Sequence, residues 1–302
     1  MKISDKLYTE NRGILWGLSY RITGSAAEAD DIVQETFLRV MEQPPIGPQD
    51  GWKPWLIRVA SNLSIDHLRR RKKSYQGSWL PSPLSDELFL NGSIDPKESP
   101  STRYEMKESI SLAFLIALEA LSPLQRAVLL LREVFDFSTN ETSHALNMSV
   151  TSVKVTLHRA RAAMRSYDQK TQKAVSSSRL RETLKRFLQL LEARDAEGLQ
   201  RLLTEDVVVV SDGGGEVIAL AAPMQGRKNV LQLIIRLNEV YREHTSNTVQ
   251  LLNGEPAIVF DRSNVRPGHA TRFTMHCQLN GRGKITRLNF VFAPRKLTGV
   301  RF

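Results

Sequence analysis

The sequence predicts a multidomain protein: two all-α domains, the second with a helix-turn-helix, followed by a C-terminal α+β domain. Three observations predict it. Apolar residues recur at helical spacing through residues 1–73 and again through 105–167. Segments 74–104 and 168–178 are rich in serine, proline or polar residues, the composition of linkers. From residue 179 onward a few helical patterns give way to β-branched runs separated by glycine, asparagine and proline turns, which reads as an α+β domain with an antiparallel sheet. At roughly 100–200 residues per domain, a chain of 302 residues accommodates this division.

The elements follow in order. Ile32, Thr36, Phe37 and Val40 fall on one side of a helix over 28–41. A proline- and glycine-rich loop, Gln43 to Lys53, interrupts the pattern. Periodicity resumes at Trp55, runs through Leu56, Val59, Ala60, Leu63 and Leu68, and ends in the basic run Arg69 to Lys73. It returns with Ile110, Phe114, Leu118 and Leu121. Ser122-Pro123 then has the form of an N-cap followed by proline at the first helical position, opening a helix to about Phe135. Two more helices span Thr139 to Leu146 and Val150 to Tyr167. In the last domain, Leu180–Ala193, Ala196–Leu203 and Val230–Tyr241 read as helices. Val207–Val210, Gln250–Leu252, Ala257–Asp261, Arg272–Leu279 and Lys284–Phe292 read as strands.

The formal charge of +10 and pI near 9.8 favour a polyanionic partner without choosing between nucleic acid and an anionic membrane surface. Cys277 is the single cysteine, which excludes an intramolecular disulfide and cysteine-rich zinc sites and fits a reducing compartment. The six histidines show no metal-ligand spacing, so neither metal nor cofactor is expected. Met1 to Glu10 holds no signal-peptide core, and the apolar stretch Ile110 to Leu118 is too short to span a bilayer. The expectation is a cytoplasmic protein with no membrane partner.

The segment Ser138 to Arg165 has the grammar of a helix-turn-helix. Asn147 stands at the turn, where asparagine tolerates left-handed geometry, and Ser149 can cap the second helix. Val153, Leu157, Ala160 and Met164 form its packed face, while Lys154, His158, Arg161 and Arg165 repeat the spacing on another. No acidic residue lies between Ser149 and Arg165, as suits a phosphate-lined groove. Thr151, Ser152, Lys154 and Thr156 occupy the first turns, where base edges are reached. Arg58, Asn62, Ile65 and Arg69 make a second stripe, with Trp52 and Trp55 at its start. Aromatics beside cations form a platform for an unstacked base, although Trp55 reads equally as core. Arg69, Arg70, Arg71, Lys72 and Lys73 are placed to neutralise phosphates.

These segments resemble a known family. Ala29–Arg39 is similar to the polymerase-docking helix of extracytoplasmic-function (ECF) sigma factors, and Pro54–Arg71 to their minus-ten-reading helix. Leu121–Glu133 and Ser149–Arg161 resemble their minus-thirty-five-binding domain. The resemblance implies a transcription initiation factor with core RNA polymerase (β′ clamp and β subunits) and promoter DNA as partners. It places Asp31, Gln34, Glu35 and Phe37 toward the β′ clamp. Arg58, Asn62 and the loop before them would hold the melted minus-ten strand, including a flipped base. Ser149, Thr151, Ser152, Lys154, Thr156, His158, Arg159 and Arg161 would face the minus-thirty-five element. Ser143, Asn147 and Thr156 depart from the family's usual alanine, glycine and arginine.

Residues 179–302 resemble a SnoaL-like domain, a sheet curved into a cone. An ECF group with this fusion carries three matching motifs. Trp79-Leu80-Pro81 lies in the first linker, Asp212-Gly213-Gly214-Gly215 after a strand, and Pro294-Arg295-Lys296-Leu297 near the end. Glu216, Ala293 and Arg295 depart from that pattern. The resemblance implies that the fused domain regulates in cis in place of a separate anti-sigma protein. Physically, Trp79 in a serine- and proline-rich linker is costly to leave in water, and three glycines allow close backbone approach. Docking of Trp79 and Leu80 near the glycine loop is expected. Asp212, Asp261, His269 and His276 are the acid–base candidates for an enzymatic cone, but nothing in the sequence brings two together, and His276 reads better as a packed residue. The expectation is an initiation factor without its own catalysis, with a small-molecule ligand in the cone as an open alternative.

Overall fold

The structure is a computed structural model describing residues 5–48, 51–86, 109–171, 176–241, 245–263 and 265–301. The chain divides into two compact units, one taking in Met1–Ser74 and Asp86–Gln169, the other Tyr75–Ser85 and Lys170–Phe302.

The first unit is helical. α1 (Asp5–Thr23), α2 (Ala26–Glu42) and α3 (Lys53–Ser74) pack around Leu15, Leu18, Ile22, Ile32, Leu56, Ile57 and Leu68. Ser25 caps α2 by accepting from the Glu28 amide. The expected helix from Ile110 is shorter: α4 spans Leu112–Ala117 and tightens to a 3-10 turn over Leu118–Ala120. Ser122 and Gln125 then cap α5 (Pro123–Glu133) reciprocally, with proline in the first turn. α6 (Thr139–Leu146) and α7 (Val150–Thr171) complete the unit.

The two helical segments are one packed body. Arg126 of α5 is 1% exposed. Its guanidinium donates to Ile22 O at 2.9 Å, Leu118 O at 3.1 Å and Glu119 Oε1 at 2.7 Å. Arg71 of α3 donates to the same Glu119 oxygen at 2.8 Å and to Thr23 O. Burial pushes the Glu119 carboxyl upward, but Arg126 and Arg71 outweigh it and hold it below the usual range. Arg71 is therefore not a phosphate contact as expected; it is structural.

In the second unit the sheet order is β2-β1-β6-β5-β4-β3, formed by β1 (Leu203–Asp212), β2 (Met224–Gln225), β3 (Thr245–Leu252), β4 (Glu255–Arg262), β5 (Arg272–Leu279) and β6 (Ile285–Val291). The sheet is mixed, not antiparallel throughout: β1 runs parallel to β6. Asn253 (φ 55°) and Gly254 (φ 77°) close the β3–β4 hairpin in two left-handed residues. α8 (Ser177–Glu192), α9 (Ala196–Leu202) and α10 (Arg227–Tyr241) accompany the sheet. Leu184, Phe187 and Ile234 join Phe260, Phe273, Met275 and Cys277 in one core. The opposite-facing Thr274, His276 and Asn289 are buried too.

Candidate nucleic-acid interface

α6 and α7 form the helix-turn-helix. Ser138 and Glu141 make a capping box at the start of α6. Asn147 ends it in the left-handed conformation, φ 52°, and the Met148 amide returns to Ser143 O at 3.0 Å. Ser149 Oγ then accepts from the Ser152 amide at 3.1 Å at the start of α7. Val153, Leu157, Ala160 and Met164 are buried, fixing which way α7 turns. Ser149, Thr151, Ser152, Lys154, His158 and Arg159 are exposed, and Thr156 is half-buried. Arg161 is exposed but paired with Glu133 of α5 at 2.5 Å, so the cationic face is not wholly uncompensated.

α3 presents Arg58 and Asn62 to solvent one turn apart, with Arg70 further along. Arg69 is exposed and pairs with Asp66 at 3.0 Å. Trp55 is half-buried. Trp52 corrects the stacking-platform expectation: it is buried, and its indole N–H donates to Gly47 O at 3.0 Å. Its ring holds the preceding loop in place. On α2, Asp31 and Gln34 are exposed, and Glu35 pairs with Arg39 at 2.9 Å. Phe37 corrects the expectation of an outward contact, because it is 5% exposed and packs on Tyr8 with ring centroids 4.9 Å apart.

In the second unit the linker docks around Asp212. Asp212 Oδ2 accepts from the Leu80 amide at 2.7 Å and pairs with Lys296 Nζ at 2.6 Å; Lys296 also donates to Leu80 O at 2.7 Å. Asp212 Oδ1 accepts from the Tyr75 hydroxyl and from the Gly214 amide, the latter at 2.9 Å. Lys296 Nζ lies 4.4 Å from the Trp79 ring centroid and 4.9 Å from that of Tyr75, in cation–π range. Gly214, φ 66°, brings the turn so close to the tail that a Cβ would stand 2.8 Å from that of Ala293. Pro294 opens the 3-10 turn Pro294–Lys296, and Leu297 is buried behind it. Gly213 is held closer still, to Val217 O, while Gly215 (φ 75°) has open space around it. Pro81 is buried. Further along, Leu84 and Asn253 exchange hydrogen bonds, and the Ser85 amide donates to Gly299 O at 2.8 Å.

An open-sided cavity of about 270 Å³ lies between helices and sheet, lined by Phe187, Ile234, Phe260, Phe273, Met275 and Phe290, with Arg262 and Asn238 among its polar residues. None of the four acid–base candidates lines it. Asp212 is held by Lys296, and Asp261 pairs with Arg272 at 3.5 Å. The His269 amide donates to Arg266 O. His276 is buried with neither ring nitrogen partnered among the described residues, and burial pushes its pKa down to about 4.

The Sigma-70 region 2 family matches residues 7–74, and the Sigma-70 region 4 family matches residues 111–164. ECF RNA polymerase sigma factor SigG of Mycobacterium tuberculosis (strain CDC 1551 / Oshkosh) is 30% identical over 256 residues, covering 79% of this chain and 68% of that protein. Sigma factor SigJ of strain ATCC 25618 / H37Rv is 29% identical over 250 residues, covering 80% and 76%. The crystal structure of M. tuberculosis SigJ aligns at a TM-score of 0.68 and 23% identity over 97% of this chain and 96% of that one, a likeness of fold. Among the described residues no helix is long and apolar enough to cross a membrane.

Proposed function

This chain belongs to the ECF RNA polymerase sigma factor family, and from that premise we propose that it initiates transcription at specific promoters under control, in cis, of its own C-terminal domain. As a sigma factor it directs transcription initiation and is not an enzyme. The exposed Asp31 and Gln34 of α2 suit a basic surface on core RNA polymerase. Arg58 and Asn62 of α3 suit the minus-ten strand, and the outward face of α7 suits the minus-thirty-five groove. Both activities belong in the cytoplasm, and neither requires a separate anti-sigma protein when the regulator is fused.

The observation that carries the control in cis is Asp212, a buried carboxylate that joins the Leu80 amide of the linker to Lys296 of the tail. A linker tied to the last residues of the chain makes the regulatory domain part of the connection between the DNA-reading segments. Run-off transcription with core polymerase tests this with the full chain, truncations ending before and after Pro294, and Asp212→Ala. Output that differs between the two truncations, and follows Asp212→Ala in the same direction, supports it. Equal output from all four would refute it. The cavity of about 270 Å³ supports a second reading, that a small-molecule ligand adjusts this control.

A further inference from the structure

The outermost line of α7 is not its cationic one. At roughly 100° per residue, Thr151, Val155 and Ala162 fall opposite the buried line of Val153, Leu157, Ala160 and Met164. All three are exposed, Val155 by 45%. Lys154 and His158 flank this ridge on one side, Ser152 and Arg159 on the other. Valine at an exposed helical position gains little from burial, and its branched β-carbon costs helix propensity. Its place is better explained by a contact made outside the chain. A low ridge of short side chains between two polar flanks lets a helix sink into a major groove, with the flanks reaching phosphates and base edges. The one apolar group that a base pair presents there is the 5-methyl of thymine.

We infer that Val155 reads the 5-methyl group of a thymine in the upstream promoter element. This rests on the DNA-reading role of α7 and names the base contact at its centre. Thr151 and Arg159, one turn away on either side, set the register. The contact discriminates thymine from cytosine and from uracil, with no hydrogen bond involved.

The test uses holoenzyme assembled from core polymerase and the full chain. Bound duplexes are selected from a pool randomised upstream of the start site. Each thymine of the selected element is then replaced singly by uracil, which removes only the methyl. Wild-type holoenzyme should lose about fourfold in affinity at one position, the value of one buried methyl-sized group. Val155→Ser, on an exposed surface and lacking both methyls, should bind the thymine duplex about fourfold more weakly and be indifferent to uracil at that position. Equal uracil sensitivity of wild type and variant at every thymine, or a selected element without thymine, would overturn the inference while leaving DNA reading intact. A wild-type holoenzyme that selects no upstream sequence would overturn the DNA-reading role itself, and this contact with it.

Discussion

Lys296 and Asp212 stand 2.6 Å apart, nitrogen to carboxylate oxygen, with the aspartate wholly buried. An ion pair in this setting contributes less than its Coulomb attraction suggests, because both charges have left water. Losing one partner is the costly event. Lys296→Met should lower the stability of the full chain by about 3–5 kcal/mol, measured by denaturant unfolding. Asp212→Asn combined with Lys296→Met should recover part of the loss. A double variant as unstable as the sum of the singles would contradict the coupling.

Trp79→Ala should free the linker without disturbing the sheet. The lysine beneath the ring keeps Asp212, but the cation–π contact is gone. Limited proteolysis should cut within 75–85 faster in the variant than in wild type. Far-ultraviolet circular dichroism should be unchanged.

Arg58→Ala and Asn62→Ala should impair promoter opening more than polymerase binding, because both side chains are exposed on α3 and away from Asp31 and Gln34 of α2 in sequence and element. Permanganate footprinting of the melted strand against a core-binding titration checks this. Equal loss in both would contradict the assignment. Binding of the wild-type holoenzyme to duplex should also weaken steeply with salt, as phosphate contacts release counterions.

Burial of neutral His276 gives a pH signature. Its folded pKa, about 4, lies below the ordinary 6.5, so the unfolded chain binds the proton first as pH falls. The neutral form's contribution is present above about pH 6.5 and is lost as pH drops toward 4, to the extent of about 3 kcal/mol. Glu255 opposes it, since burial pushes its pKa up to about 7 and its contribution is lost as pH rises from 4.5 toward 7. The readout is therefore the difference between His276→Leu and wild type. Denaturant midpoints from pH 7 to 4 should show the variant losing less stability on acidification.

Glu119→Ala should destabilise the helical unit by about 3 kcal/mol or more, because it leaves Arg126 and Arg71 near one another and buried without their shared carboxylate. With the carboxyl held below its usual range, this stabilisation is present at neutral pH and lost as pH falls through the depressed value. Thermal unfolding of variant and wild type at neutral pH checks the magnitude.

Local signals carried much of this architecture. Ser122-Pro123 and Asn147 each do what their chemistry dictates, one capping a helix and the other ending one. The strand at Arg272–Leu279 has the bounds read from the sequence. What failed was non-local. Val207–Val210 marked only the apolar end of β1, since Thr204, Glu205 and Asp206 disguise its start. Its parallel partner β6 lies far along the chain, and no periodicity reports a pairing partner. Phe37 and Trp52 have the same letters whether they face a partner or a core. Arg71 read as a phosphate contact because sequence does not disclose the carbonyl oxygen of Thr23 that receives it.

One carboxylate receives both the linker and the tail, so their attachments are thermodynamically linked: whatever loosens one weakens the other by the same factor. Residues 75–85 belong to the same compact unit as residues 170–302. Release at residue 296 would therefore also unfasten a segment more than two hundred residues earlier in the chain.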